Sequence, residues 1–142
     1  MRELDADTLL FFDAHPGALP LLDALEEAVF TRFPEAKKRV QKTQITYYHR
    51  HVFACVSFAR VRRKAQLPEN WLTLTLGLPY PLESERAAVK TEVCPGRWTT
   101  HLVLGAPEEV DGQLLGWLDE AYAFSERSRK APGGAMHSAP YA

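Results

Sequence analysis

Between Trp71 and Leu78 the chain alternates cleanly, with Leu72, Leu74, Leu76 and Leu78 on one phase and Trp71, Thr73, Thr75 and Gly77 on the other. Successive side chains of an extended strand leave from opposite faces. This stretch therefore demands a sheet with one apolar face, which must be covered, and one polar face. Two helical stripes are available to cover it. From Leu19 to Phe33, the residues Leu21, Leu22, Leu25, Val29, Phe30 and Phe33 recur at three- and four-residue steps, and Pro34 ends the run. Asp23, Glu26, Glu27 and Arg32 are expected on its outer side. Pro107-Glu108-Glu109 suits a second helix start. Val110, Leu114, Trp117, Leu118, Ala121 and Phe124 then form a stripe running toward Arg129. A short leading helix is expected over Thr8–Ala14, capped by Asp7.

The other extended segments follow from composition. Arg39–Tyr48 is rich in β-branched and aromatic residues and reads as one polar strand. Val52–Val61 is apolar on both phases and reads as a covered strand. Ala87–Val93 and Arg97–Leu104 complete the set. The expected class is α+β: an antiparallel sheet of about five strands with the N- and C-terminal helices packed on one face.

A chain of 142 residues, 46% hydrophobic and 25% charged, is most simply one domain, here 1–128, followed by a disordered tail over 129–142. A chain of this size buries roughly 70% of its unfolded surface, so no disulfide or metal is needed to hold it. The net charge of −1 gives no global field toward nucleic acid or anionic lipid. No apolar run approaches the ~18 residues of a membrane span. Met1-Arg2-Glu3-Leu4-Asp5 lacks the basic start and apolar core of a leader, which makes the cytoplasm the default location. Cys55 lies in an apolar run and reads as buried. Cys94, before Pro95-Gly96, reads as a turn residue. A single disulfide between them stays open.

Arg39-Val-Gln-Lys-Thr-Gln-Ile-Thr-Tyr-Tyr, Phe53-Ala-Cys-Val-Ser, Thr75-Leu-Gly-Leu and Arg97-Trp-Thr-Thr-His together resemble domain-of-unknown-function family 5655. That is a family of small bacterial domains, distantly similar to YdhG-like domains. The resemblance runs over roughly residues 8 to 127 with the motif order kept. It implies a compact α+β domain and no established activity. The family's histidine pair after Arg-Trp-Thr stands here as Thr100-His101.

The polar face supplies the candidate site. Lys42 and Gln44, two apart on the expected strand, share a face, as do Arg97 and His101. Together they offer cations and amide donors to a carboxylate or phosphate. Tyr48 and Trp71 are the expected walls for a ring. The leading expectation is a small anionic or aromatic ligand on an open sheet face. A protein-interaction module, such as a homodimer through that face, is the second reading. The third is an enzyme with His101 as general base, which requires a carboxylate or nucleophile within about 4–5 Å.

No catalytic residue, metal ligand or cofactor is assigned. His49-x-His51 is half a zinc site, but no acidic or cysteine partner stands near it in sequence, so both are read as turn histidines in solvent. Cys55 and Ser57 lack the surroundings of a nucleophile. Lys37–Arg39 and Arg60–Lys64 are read as solvated strand ends, and nucleic acid is disfavoured as a partner.

Overall fold

The computed structural model describes residues 5–127. The expected tail over 129–142 lies outside them. Three α-helices, α1 (Ala6–Phe11), α2 (Leu19–Arg32) and α3 (Gly112–Arg127), accompany six strands. The strands are β1 (Lys37–Val40), β2 (Ile45–Tyr48), β3 (Val52–Ser57), β4 (Leu72–Leu78), β5 (Ala87–Cys94) and β6 (Arg97–Leu104). All pair antiparallel, in the order β1-β2-β3-β4-β6-β5. The class is α+β, with one strand more than expected. No helix among the described residues is long and apolar enough to cross a membrane.

The extra strand comes from a break in the polar segment. Gln41 N–H donates to Gln44 O at 2.8 Å, closing a turn between β1 and β2. Lys42 and Gln44 therefore lie in a turn, not on a strand. Two helix starts also differ from the pattern. Asp5 rather than Asp7 caps α1, its carboxylate accepting from Thr8 N–H at 2.8 Å. Pro107–Glu109 forms a single 3₁₀ turn, and Asp111 accepts from Leu114 N–H at 3.0 Å to open α3.

The four leucines of β4 are fully buried. They join Leu21, Leu22, Leu25 and Val29 of α2 and Leu114, Leu118 and Ala121 of α3 in one core. Glu26 corrects the helix-face assignment. It is 2% exposed and points into the sheet, accepting from the buried Tyr47 hydroxyl at 2.5 Å and pairing with Lys38 Nζ at 2.9 Å. A buried carboxylate needs such partners. At the β2–β3 hairpin the register slips between Tyr47 and Tyr48, leaving Phe53 as the extra residue of a bulge. Phe53 joins the core and meets Phe33 and Tyr122 edge-on, at 5.4 and 5.1 Å between centroids.

Candidate site on the polar face of the sheet

Strand register sets a row of side chains across the face turned away from the leucines. Thr46 of β2 pairs with Cys55 of β3, Cys55 with Thr75 of β4, and Thr75 with His101 of β6. Ser57 beside Thr73, and Gly77 beside Thr99, extend the same face. The face is polar but not open at its centre: Gln44, Thr46, Ser57, Thr73, Thr75, Thr99 and His101 are each 6% exposed or less, and Cys55 is fully buried.

Buried polar groups require partners, and several are visible. Thr73 Oγ1 donates to Ala59 O at 2.8 Å, and Ser57 Oγ accepts from Ala59 N–H at 3.3 Å. Thr46 Oγ1 donates to Arg39 O at 3.4 Å. Thr75 Oγ1 stands 2.8 Å from His101 Nδ1. Cys55 Sγ lies 4.0 Å from Gln44 Oε1. Cys55 and Cys94 are both thiols rather than a disulfide.

Burial holds the His101 imidazole below its ordinary pKa, because the cation loses more hydration than the neutral ring. The sign of the pH effect follows. The stability contributed by the neutral ring is complete above the ordinary histidine value. It is lost as the pH falls from there through the lowered folded-state value. In urea melts, His101→Gln should therefore flatten the wild-type decline below about pH 6.5. A decline of the same slope in both proteins would contradict the buried neutral ring.

The six expected site residues divide. Gln44 and His101 lie on the same face, joined through Cys55 and Thr75. Lys42 is exposed in the turn. Tyr48, half-buried, is covered by the Arg39 guanidinium at 4.7 Å on the β1 side. Trp71 precedes β4 and stands edge-on to Phe58 and His15, at 5.7 and 6.1 Å. Arg97 lies 5.3 Å over Phe124 of α3. Thr75 meets the distance condition set for a general-base reading of His101. The sequence pattern placed Thr75 on the polar face, but only strand register puts it beside His101.

His49 is not a solvated turn residue. Its Nε2 is 3.5 Å from Glu35 and its Nδ1 is 3.2 Å from Glu126. The two carboxylates meet different ring nitrogens and so do not converge on a common point. Among the described residues no group of three or more His, Cys, Asp or Glu side chains is placed to hold a metal. A shallow groove of about 340 Å³ separates α2 from the start of α3, lined by Ala24, Ala28, Val110 and Leu115 with Glu27 and Arg32 among its walls. Arg32 is already engaged by Asp119 in a two-pronged pair, at 2.9 and 2.6 Å.

The family described as domain of unknown function DUF5655 matches residues 10–125. The chain belongs to this family. The match covers α2, all but the last two residues of α3 and all six strands, including the whole polar row of this DUF5655 domain. It gives no support to the more distant YdhG-like relation. No curated protein and no solved structure matches the chain.

Proposed function

We propose that this DUF5655 domain binds a small planar molecule, rich in hydrogen-bond donors and acceptors, against Gln44 and His101, once the chain that closes the face over the fully buried Cys55 and Thr75 moves aside. The observation behind this reading is the buried polar row itself. Valine has the shape of threonine and is equally at home in a strand. Packing alone therefore gives no reason to bury hydroxyls, an amide and an imidazole side by side in the middle of a sheet. The Gln44 amide has both donor and acceptor, and a neutral imidazole has one of each. That chemistry suits the edge of a heteroaromatic ring. It does not suit a full negative charge, which would be buried without a counterion. Lys42 and Arg97, the cations expected to bind an anion, stand away from the row. The aromatic arm of the expectation is therefore favoured over the anionic one.

A thermal-shift screen of nucleobases, sugar phosphates and small organic acids tests this. Uncharged planar compounds should raise the melting temperature. Gln44→Ala and His101→Ala should weaken binding roughly tenfold or more each, the usual cost of an unpaired buried polar group. Binding that survives both substitutions but is lost in Lys42→Ala and Arg97→Ala would overturn the assignment.

The Thr75–His101 contact supports a second reading, in which His101 takes the Thr75 proton, the oxygen attacks the carbonyl carbon of an ester, and the ester C–O bond breaks with the alcohol leaving on the proton that His101 returns. Mass spectrometry after incubation with an activated ester should then show one acyl group on Thr75 and none in His101→Ala. An unmodified wild-type chain would end this reading.

A further inference from the structure

The sheet has two edges, and their sequences differ in a way that bears on self-association. At one edge β1 reads Lys37-Lys38-Arg39-Val40. Two copies paired antiparallel through this strand would bring cations against cations, which disfavours the contact. At the other edge, β5 reads Ala87-Ala88-Val89-Lys90-Thr91-Glu92-Val93-Cys94. About Thr91 its chemistry is symmetric: Lys90 matches Glu92, Val89 matches Val93, and small residues flank both. A strand with this pattern is complementary to itself when turned antiparallel. A twofold axis at Thr91 sets Lys90 of each copy opposite Glu92 of the other, within the regularly paired stretch Val89–Glu92.

We infer that two copies of this chain pair through β5, edge to edge, extending the six-stranded sheet into a continuous twelve-stranded one. The symmetry closes, because the same patch serves both partners. Pairing β5 of one copy to β1 of another would instead leave a free β5 at one end and a free β1 at the other, each able to take a further copy, and give a chain of copies. Exposure agrees with the assignment. Val89, on the edge, is 37% exposed. Glu92 is exposed, and the Lys90 side chain is 33% exposed, resting on Leu82 O and Glu83. Register slips at Ala87/Val89 and Glu92/Cys94 confine regular pairing to the centre of the strand. Association is accordingly reversible and concentration-dependent.

The test is charge exchange, read by sedimentation equilibrium of the full chain up to millimolar concentration. The wild type should show a monomer–dimer equilibrium. Lys90→Glu and Glu92→Lys each set like charges opposite one another twice per dimer, and each should weaken association roughly tenfold or more. The double variant Lys90→Glu/Glu92→Lys restores opposite charges and should recover the dimer. Mixing the two single variants should give a heterodimer where each alone is monomeric. The rescue separates pairing from local damage, since the double variant also loses the Glu92 contact to Gly96 N–H. A wild type that stays monomeric throughout, a dimer indifferent to both reversals, or a double variant no better than the singles would overturn the inference.

Discussion

Glu26→Ala should lower the unfolding free energy by about 3–5 kcal/mol, the usual cost of breaking a buried ion pair by removing one partner. Glu26 is 2% exposed and serves both the Tyr47 hydroxyl and Lys38. Alanine leaves that hydroxyl without its acceptor and the ammonium without its counterion. Lys38 retains 17% side-chain exposure and can turn toward water, which places the expected loss at the lower end. Glu26→Gln keeps an acceptor for Tyr47 but no charge for Lys38, so it should fall between wild type and alanine. Urea unfolding checks the order. A loss below about 1 kcal/mol for Glu26→Ala would mean that the carboxylate behaves as an exposed surface charge.

The second large effect contrasts two neighbours on one strand. Leu74 is fully buried in the core under the helices, and Leu74→Ala should cost about 2–5 kcal/mol through lost burial and the cavity left behind. Thr75 is equally buried on the opposite face. Thr75→Val keeps its volume and strand preference but removes the hydroxyl 2.8 Å from His101 Nδ1. The cost should be about 1–3 kcal/mol, that of one unpaired buried group. No loss at Thr75→Val would mean that the hydroxyl is not part of a partnered polar row. A loss at Thr75→Val together with full ligand affinity would remove Thr75 from the binding row and leave it a structural role.

Periodicity carried most of the fold. The leucine alternation of β4 and the stripes of α2 and α3 can each be read locally, and each faces the core apart from Phe124, which lies outside it beneath Arg97 and Arg127. What escaped depended on partners distant in the chain. Glu26 looks like an outward acid until Lys38 and Tyr47 are folded against it. His49 looks solvated until α3 brings Glu126 beside it, 77 residues further on. Nothing in Gln41-Lys42-Thr43-Gln44 marks a turn: it has no glycine or proline, and the break rests on a hydrogen bond between its two glutamines' backbones. Phe53 shares a phase with Cys55 and Ser57 yet joins the core, because a bulge adds one residue to β3.

The site was legible in the same uneven way. Gln44 and His101 could be named from chemistry and phase. Their joining through Cys55 and Thr75 could not, because that needs the strand order β2-β3-β4-β6 and its register. Lys42 and Arg97 stand out in the sequence by their charge, but local geometry places one in a turn and the other over an aromatic ring of α3.

The most direct measurement of the central claim is an NMR titration of the labelled domain with the strongest uncharged heteroaromatic compound from the screen. Binding over the polar face should move the Gln44 side-chain amide, the Cys55 and Thr75 backbone amides and the His101 ring signals together, along a single saturation curve. Perturbations confined to Ala24, Ala28, Val110 and Leu115, in the groove between α2 and α3, with the His101 ring unmoved, would contradict it.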